Sequence, residues 1–185
     1  MNLIDKKDLR NLQIRKLTEF GKTQQKQLED EILKEKLLKS RLLHQVENVG
    51  ISISMALEVD TAPIIATLWK IKKKVNIPRC IPNRKMEFTL YNKNTFLEKT
   101  KFGVLENHDP KAEVKNDLDL IIVPGLAYGL DKNSRLGFGG GYYDRFLKKY
   151  PTQTLSLVNS VQAFDQTKWK IEDHDIPIEN LILSK

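Results

Sequence analysis

The chain has 185 residues, of which 40% are hydrophobic and 30% charged, and its net charge is +7 at neutral pH. This composition excludes an intrinsically disordered chain, and the length predicts one folded domain. The sequence contains no 18-residue apolar run, which excludes a transmembrane helix, and its one cysteine, Cys80, excludes an internal disulfide. Because charges fill the N-terminus where a signal peptide needs apolar residues, we expect a cytoplasmic protein.

Two helices are predicted at the N-terminus. Residues 5–20 place Leu9, Leu12 and Leu17 on one side, while Lys6 and Arg10 lie four apart on another. Residues 22–47 predict a longer, highly charged helix. Apolar residues recur in it at fourfold spacing and predict one buried stripe, formed by Leu28, Ile32, Leu38, Leu42 and Val46.

The middle of the chain alternates between strand and helix patterns. "VGISIS" predicts a short strand, and "TAPIIATLWKIKKK" predicts a helix that Thr61 caps and in which Pro63 suits the first turn. "VNIP" and "KMEFTLY" predict two further strands.

The C-terminal part continues this alternation. "LDLIIVPG" predicts a strand buried on both faces, and "YYDRFLKKY" predicts a helix stopped by Pro151, followed by the strands "TLSLVNS" and "NLIL". The order of elements favours an α/β fold: a mainly parallel sheet with helices on both faces, in a Rossmann-like three-layer α/β/α single domain. We expect this domain to span residues 1–185, with the helical segment 1–47 packed on it.

The positive charge is concentrated in one segment. The basic stretch, residues 70–101, contains ten Lys or Arg residues and two acids, Glu87 and Glu98. Such a surplus predicts an anionic partner, such as a phosphate, a polycarboxylate or a nucleic acid, or else a solvated surface with no partner.

A glycine-rich loop follows the buried strand directly. "RLGFGGGYYDRFL", residues 135–147, has four glycines in five positions, but Tyr142 stands where both the P-loop and the dinucleotide fingerprint require glycine. Glycines allow backbone N–H groups to line a concavity, the helix that follows presents its positive end, and Arg135 suits phosphate oxygens. Asp144 suits Mg²⁺. The pattern therefore predicts a phosphate site, the alternative being a flexible turn with an N-terminal helix acid.

Other reactive residues give weaker signals. The three histidines, His44, His108 and His174, show no metal-ligand spacing, and Cys80 has no partner motif that would indicate a catalytic thiol. The acidic run "EDHD", residues 172–175, is either a turn or the source of a second metal carboxylate.

Residues 119–147 resemble the signature of the 5-formyltetrahydrofolate cyclo-ligase family, V-P-G-L-A-F-D-x-x-G-x-R-L-G-x-G-x-G-Y-Y-D-R-(F/Y)-L. This chain reads "VPGLAYGLDKNSRLGFGGGYYDRFL". Weaker similarity extends to "KKDLR", "ISISMALEVDT", "VNIPRCIPNRKMEF" and "HDIPIENLIL".

The resemblance implies a cytoplasmic ligase of folate one-carbon metabolism that forms a C–N bond. With ATP as co-substrate and Mg²⁺ as cofactor, such an enzyme converts 5-formyltetrahydrofolate to 5,10-methenyltetrahydrofolate. The formyl oxygen attacks the γ-phosphoryl group, N10 captures the resulting imino-phosphate, and phosphate leaves. These steps require mainly positioning and electrostatic stabilisation.

The resemblance also implies roles for particular residues. Arg135 and Tyr143 are expected to be catalytic, and Asp144 and Asp175 to bind Mg²⁺. The expected ATP-binding residues are Lys6, Arg10, Arg135, Leu136, Gly137, Phe138, Gly139, Gly140, Gly141, Tyr142 and Tyr143. The expected folate-binding residues are Ile53, Glu58, Met86, Phe88 and Tyr143, with Met86 and Phe88 alternatively ordinary strand core. From its charge, the basic stretch is expected to face the glutamate tail of the folate.

The chain departs from the family pattern in three places, one of which is "LVNSVQAFDQ", a loose fit to the family's last strand region. After "GLA" it has one additional residue before Arg135 and lacks the usual glycine, and some relatives have lysine where this chain has Gly140. Two other functions stay open: phosphorylation of a different carboxamide-like substrate, and non-catalytic nucleic-acid binding through the basic stretch. We expect a monomer that binds neither nucleic acid nor membrane, and a dimer stays open.

Overall fold

The computed structural model describes residues 3–101 and 103–185. Its helices are α1 (Lys6–Phe20), α2 (Gln24–Leu38), α3 (Arg41–Gln45), α4 (Ala62–Lys70) and α5 (Tyr142–Lys149). Its strands are β1 (Asn48–Ile51), β2 (Lys74–Ile81), β3 (Lys85–Leu90), β4 (Glu98–Lys99), β5 (Leu105–Glu106), β6 (Leu120–Ile122), β7 (Ala127–Gly129), β8 (Ser134–Leu136), β9 (Gln153–Val158), β10 (Ala163–Phe164) and β11 (Asn180–Leu183).

The central sheet has six strands in the order β11-β9-β6-β1-β2-β3. Five are parallel, and β3 pairs antiparallel with β2 at one edge. A second sheet, in the order β10-β7-β8, and the small hairpin of β4 and β5 complete the strands. The predicted mainly parallel α/β sheet is therefore confirmed.

Helices cover both faces of the central sheet. On one face, apolar residues of α2, α3 and α4 form a core with β1, β6 and β9; Leu33, Leu43 and Ile64 are wholly buried there. On the other face, Phe146 and Leu147 of α5 pack with residues of β3 and β6. These two cores enclose the sheet and produce the three-layer arrangement.

The first helix packs on the second sheet. Asp5 caps α1 by accepting the N–H groups of Lys7 and Asp8, and Leu9 is buried with Ala127, Leu136 and Trp169. The buried Gln13 amide donates to the Leu126 and Val161 carbonyl oxygens at 2.9 and 3.0 Å. This contact fixes α1 next to the loop that follows β6.

The predicted helix over residues 22–47 is wrong in one respect, because it is two helices. The chain breaks after Leu38, and the Ser40 hydroxyl accepts the Leu43 N–H to begin α3. The predicted stripe is also partly wrong: Leu28 is 60% exposed and Ile32 39%. The buried face of α2 instead consists of Lys26, Glu29, Leu33 and Leu37.

Thr61 does not cap α4 as predicted. Its hydroxyl donates to the Ser52 carbonyl oxygen at 2.8 Å and accepts the Ser54 N–H at 2.9 Å. The Asp60 carboxylate accepts the Ala62 N–H instead. Thr61 therefore closes the loop that follows β1, which contributes to the site described below. Among the residues that the structure describes, no helix has the length and apolarity needed to span a membrane.

Candidate active site

The site lies where the chain direction across the sheet reverses. β1 is flanked by β2 on one side and β6 on the other, so the loops after β1 and β6 diverge at their carboxyl ends. Open α/β sheets bind ligands at such a switch point. A narrow cavity of about 30 Å³ lies here, lined by Ser52, Glu58, Pro124, Tyr128 and Gln162.

Glu58 is the acidic group of this cavity. Its side chain is buried, and its Oε2 accepts the Met55 N–H at 2.7 Å. Burial raises the pKa of the Glu58 carboxyl, and the hydrogen bond from Met55 only partly opposes this rise. A buried carboxylate without a cationic partner is a strong acceptor for N–H groups of a ligand.

The glycine loop lies beside this cavity and is surrounded by guanidinium groups. An added Cβ would lie 2.6 Å from the Arg135 guanidinium at Gly137, 3.3 Å from that of Arg10 at Gly139, and 2.7 Å from that of Arg145 at Gly141. Gly139 and Gly141 also adopt positive φ, at 99° and 64°. The glycines therefore permit both the loop conformation and the close approach of three cationic side chains.

The loop ends at the N-terminus of α5. Gly141 is the N-cap residue, and none of the described side chains caps this helix end. The partial positive charge of the helix terminus therefore adds to that of the surrounding guanidinium groups. Together they form a binding surface suited to an anion such as a phosphate.

Arg135 connects the loop to the cavity. Its Nη2 lies 3.0 Å from the Asp144 Oδ2, and its Nη1 donates to the Pro124 carbonyl oxygen at 3.1 Å. Its side chain is 5% exposed, and its buried Nε has no hydrogen-bond partner among the described residues. The guanidinium carbon lies 5.7 Å from the centroid of the Tyr143 ring.

Tyr143 brings a second unpartnered polar atom to the same place. The buried Tyr143 hydroxyl lies near Ser52, which partly opposes the rise that burial causes in the pKa of the Tyr143 phenol. The hydroxyl forms no hydrogen bond of normal geometry in the described structure. Burial, and then the negative charge of Glu58, raise the pKa of the Tyr143 phenol. The hydroxyl therefore stays protonated and can donate a hydrogen bond to a ligand.

Helix α1 brings Lys6 and Arg10 to the site. The Lys6 Nζ lies 2.7 Å from the Asp175 Oδ2, and the Arg10 Nε donates to the Gly137 carbonyl oxygen at 2.9 Å. Burial favours a higher pKa for Asp175, but the hydrogen bonds from Lys6 and the Glu172 N–H lower it overall. The predicted pair of cations on one face of α1 thus reaches both the glycine loop and the acidic run.

The two expected metal ligands are near neighbours. The Ile176 N–H donates to the Asp144 Oδ1 at 3.2 Å, and Ile176 directly follows Asp175 in the chain. Across residues 3–101 and 103–185, no group of three or more His, Cys, Asp or Glu residues forms a metal cage. Two carboxylates fit Mg²⁺, which binds one or two protein carboxylates together with phosphate oxygens and water.

The expected folate residues differ in how accessible they are. Glu58 lines the cavity, and Ile53 is half-buried in the loop after β1. Met86 is 8% exposed, whereas Phe88 is wholly buried and packs edge-on against Phe146 with ring centroids 5.1 Å apart. Phe88 therefore occupies a core position behind the site.

The remaining loop residues also occupy distinct positions. Leu136 is buried in the core beneath α1, while Phe138 is 43% exposed and Gly140 is exposed. The Tyr142 ring lies beneath the Arg145 guanidinium, 5.4 Å away. Any role of Leu136 in ATP binding would therefore involve its backbone.

The basic stretch does not form one surface. Lys72 and Lys73 lie at the amino edge of the sheet, where Lys73 donates to the Val46 carbonyl oxygen, whereas the site is at the carboxyl edge. Arg79 pairs with Glu87. The turn between β2 and β3 brings basic residues of this stretch toward the glycine loop, whereas Lys72 and Lys73 lie at the other end of the sheet.

Three features of the site were not predicted. Asn133, at φ 48°, adopts the left-handed conformation two residues before Arg135, where the family pattern has glycine. Gln162 donates to the Gly125 carbonyl oxygen at 2.6 Å and supports the cavity wall. Arg145 contacts the glycine loop. Two sequence signals were available: the spacing of Asn133 before Arg135, and the place of Arg145 in the Y-Y-D-R run of the signature.

These features define a mainly parallel α/β protein in which a cationic glycine loop lies beside an acidic cavity at the carboxyl edge of the sheet. The model of the 5-formyltetrahydrofolate cyclo-ligase family matches residues 3–184. The chain therefore belongs to the 5-formyltetrahydrofolate cyclo-ligase family.

Individual relatives agree with this assignment. The 5-formyltetrahydrofolate cyclo-ligase of Escherichia coli K12 is 31% identical over 144 residues, which are 72% of this chain and 76% of that protein. The probable 5-formyltetrahydrofolate cyclo-ligase of Schizosaccharomyces pombe is 36% identical over 111 residues, 58% of this chain and 54% of that protein. The solution structure of Aquifex aeolicus 5,10-methenyltetrahydrofolate synthetase superposes with a TM-score of 0.82 at 26% identity, covering 97% of this chain and 90% of that one.

Proposed function

We propose that this protein uses ATP and Mg²⁺ to convert 5-formyltetrahydrofolate to 5,10-methenyltetrahydrofolate, with release of ADP and phosphate. The reaction from the 5-formyl to the 5,10-methenyl compound is that of the family to which the chain belongs. ATP and Mg²⁺ are supported by the cationic glycine loop and by the two neighbouring carboxylates.

One observation carries the proposal most directly. The Arg135 Nε and the Tyr143 hydroxyl are both buried and unpartnered in the described structure. Arg135 borders the glycine loop at Gly137, and Tyr143 is close enough to Glu58 for its charge to raise the phenol pKa, after the larger effect of burial. Leaving a buried polar group unpaired costs about 1–3 kcal/mol. Such a cost is retained where a ligand supplies the missing partner, here at the junction of the two substrates.

The chemistry follows from this arrangement. The formyl oxygen attacks the γ-phosphorus of ATP, the bond to the ADP oxygen breaks, and an imino-phosphate forms at N5. N10 then attacks the activated formyl carbon, loses its proton, and closes the ring as phosphate leaves. An amide oxygen is a poor leaving group until phosphorylation, so ATP supplies the driving force for ring closure.

The protein's part is positioning and charge stabilisation. Arg135, Arg10 and Lys6 neutralise phosphate oxygens, and the Tyr143 hydroxyl donates a hydrogen bond where the two substrates meet. Glu58 accepts hydrogen bonds from the pterin-like ring and fixes the orientation of the formyl group. Asp144 and Asp175 are the carboxylates that would hold Mg²⁺, which would supply further positive charge to the phosphate oxygens.

The proposal is tested by absorbance. Purified protein mixed with 5-formyltetrahydrofolate, ATP and Mg²⁺ should form the methenyl chromophore, and omission of ATP or Mg²⁺ should prevent it. Chromophore formation without ATP, or none under full conditions, would contradict the proposal. Absence of the chromophore together with tight, salt-sensitive RNA binding would favour the nucleic-acid alternative.

That alternative has less structural support, because the basic residues on which it depends are divided between two edges of the sheet. The cytoplasmic location, the monomeric state and the use of polyglutamated folate stay predictions. The extent of the single domain, residues 1–185, also stays a prediction.

A further inference from the structure

Arg145 joins two segments that belong to different halves of the site. Its Nε and Nη2 donate to the Arg84 carbonyl oxygen, at 3.0 and 2.8 Å, in the turn between β2 and β3. Its Nη2 also donates to the Gly140 carbonyl oxygen in the glycine loop at 2.7 Å. One guanidinium group therefore holds both segments by their backbones.

The turn held by Arg145 is strained. Asn83 and Arg84 adopt φ values of 64° and 55°, in the left-handed region that residues with a Cβ rarely occupy. The two hydrogen bonds on the Arg84 carbonyl oxygen stabilise this conformation directly. Met86, an expected folate contact, follows two residues later and lies in β3, the strand that packs on α5.

The glycine loop also fits closely around the Arg145 guanidinium. Gly141 has φ 64°, and an added Cβ there would lie 2.7 Å from the Arg145 Nη1. The Tyr142 ring supports the guanidinium from a centroid distance of 5.4 Å, and an added Cβ at Gly140 would lie 2.7 Å from that ring. The loop conformation and the position of Arg145 therefore depend on each other.

We infer that Arg145 is a positioning residue that couples the two substrate sites, so that binding of ATP at the glycine loop strengthens binding of the folate beside Met86, and the reverse. This inference rests on the proposed function, with ATP at the glycine loop, and on the expectation that the folate contacts Met86 in β3. Because the coupling is an equilibrium property, it is the same in both directions.

The coupling is measured by titration without turnover. The Kd of 5-formyltetrahydrofolate is determined with and without saturating β,γ-methylene ATP and Mg²⁺, for the wild type, Arg145→Ala and Lys148→Ala. Lys148 is an exposed lysine of the same helix, so its variant loses the same charge. The nucleotide analogue should lower the folate Kd about fivefold or more in the wild type and in Lys148→Ala, and should have no effect in Arg145→Ala.

Two outcomes would overturn the inference: no coupling in the wild type, or full coupling in Arg145→Ala. Either leaves chromophore formation by the wild type intact, so failure of the inference is distinguishable from failure of the proposed function. If Arg145→Ala does not fold, Arg145→Lys replaces it, because lysine keeps the charge but lacks the planar fork.

A second variant separates coupling from simple support of the turn. Glycine tolerates positive φ, so Arg84→Gly relaxes the turn and keeps the carbonyl acceptor. In the Arg145→Ala background, Arg84→Gly should leave the nucleotide effect on folate Kd absent. Restoration of that effect would mean that the guanidinium only stabilises the turn, and would overturn the coupling role.

Discussion

Lys6 and Asp175 form an ion pair of 2.7 Å between the first helix and the last loop, 169 positions apart in sequence. Both side chains are less than 20% exposed. One was expected to bind phosphate and the other Mg²⁺, and in this structure each is the other's partner. The pair therefore holds a cation and a carboxylate together at the edge of the glycine loop, next to Asp144.

Replacing Lys6 by methionine should raise the KM for ATP about tenfold or more, because the proposed phosphate site loses one of its cations. Lys7→Met is the matched control, since Lys7 is exposed, lies about 100° around the same helix from Lys6 and should leave the KM unchanged. Initial rates at varied ATP and saturating folate provide the measurement. Equal KM values for both variants would remove Lys6 from the ATP site.

Arg135→Ala and Asp144→Ala should each reduce kcat about 100-fold or more, as loss of a phosphate or metal contact does. The two residues form an ion pair, so each change also leaves the other buried charge unpaired. Asp144→Asn separates the two effects, because it keeps the shape and should raise the Mg²⁺ concentration needed for half-maximal rate. An unchanged Mg²⁺ requirement would exclude Asp144 as a ligand.

Much of the site was predictable because its signals are local in sequence. The strand end, the glycine loop, Arg135 and Asp144 fall within one short segment, and their order fixes their geometry. Lys6 and Arg10 were predictable as a pair because a helix places residues four apart on one face.

The errors in the predicted helices occurred where contacts with residues distant in sequence decide which side chains are buried. The periodicity of α2 indicated Leu28 and Ile32 for the core, yet the helix instead buries Glu29, whose partners Ser160 and Ser184 are 131 and 155 positions away. The break before α3 depends on a single serine cap that the continuous apolar pattern concealed. Tertiary contacts therefore determine the buried face of α2, and they override the local hydrophobic pattern.

Asn133 takes the left-handed position in the loop before Arg135, where the chain lacks the usual glycine. It adopts φ 48° where the family pattern has glycine, and its carbonyl oxygen accepts the Ile178 N–H at 2.9 Å. Asn133→Gly should preserve or slightly raise stability, whereas Asn133→Ala should lower it by about 1 kcal/mol, because alanine is strained in this conformation. Urea denaturation measures both, and equal midpoints for the two variants would contradict this account of the turn.

Glu58 should favour binding at the expense of stability. Its pKa is raised in the folded protein, mainly by burial, so the free energy of unfolding falls as pH rises from about 4.5 through the folded pKa. Glu58→Gln removes the buried charge and should raise the urea midpoint at neutral pH, while the folate KM rises about tenfold or more. A lower midpoint with unchanged KM would show that Glu58 is structural only.

Glu29 should produce the opposite dependence on pH. Its carboxylate is buried and accepts hydrogen bonds from the Ser160 N–H and hydroxyl, the Ser184 hydroxyl and the Gln25 amide. Burial alone would raise its pKa, but these hydrogen bonds lower it overall. The stabilisation is therefore complete above the unfolded pKa of about 4.5 and is lost as pH falls through the lower folded value.

Glu29→Gln should consequently lower the free energy of unfolding by about 1–3 kcal/mol at neutral pH, and by much less in acid. Glu31→Gln, on the exposed face of the same helix, should change it little at either pH. Urea midpoints at pH 7 and near pH 3 compare the two variants with the wild type. Because Ser160 lies in the loop that carries Gln162 to the cavity, a pH-independent loss in Glu29→Gln would indicate that side-chain shape, rather than the carboxylate charge, holds this loop.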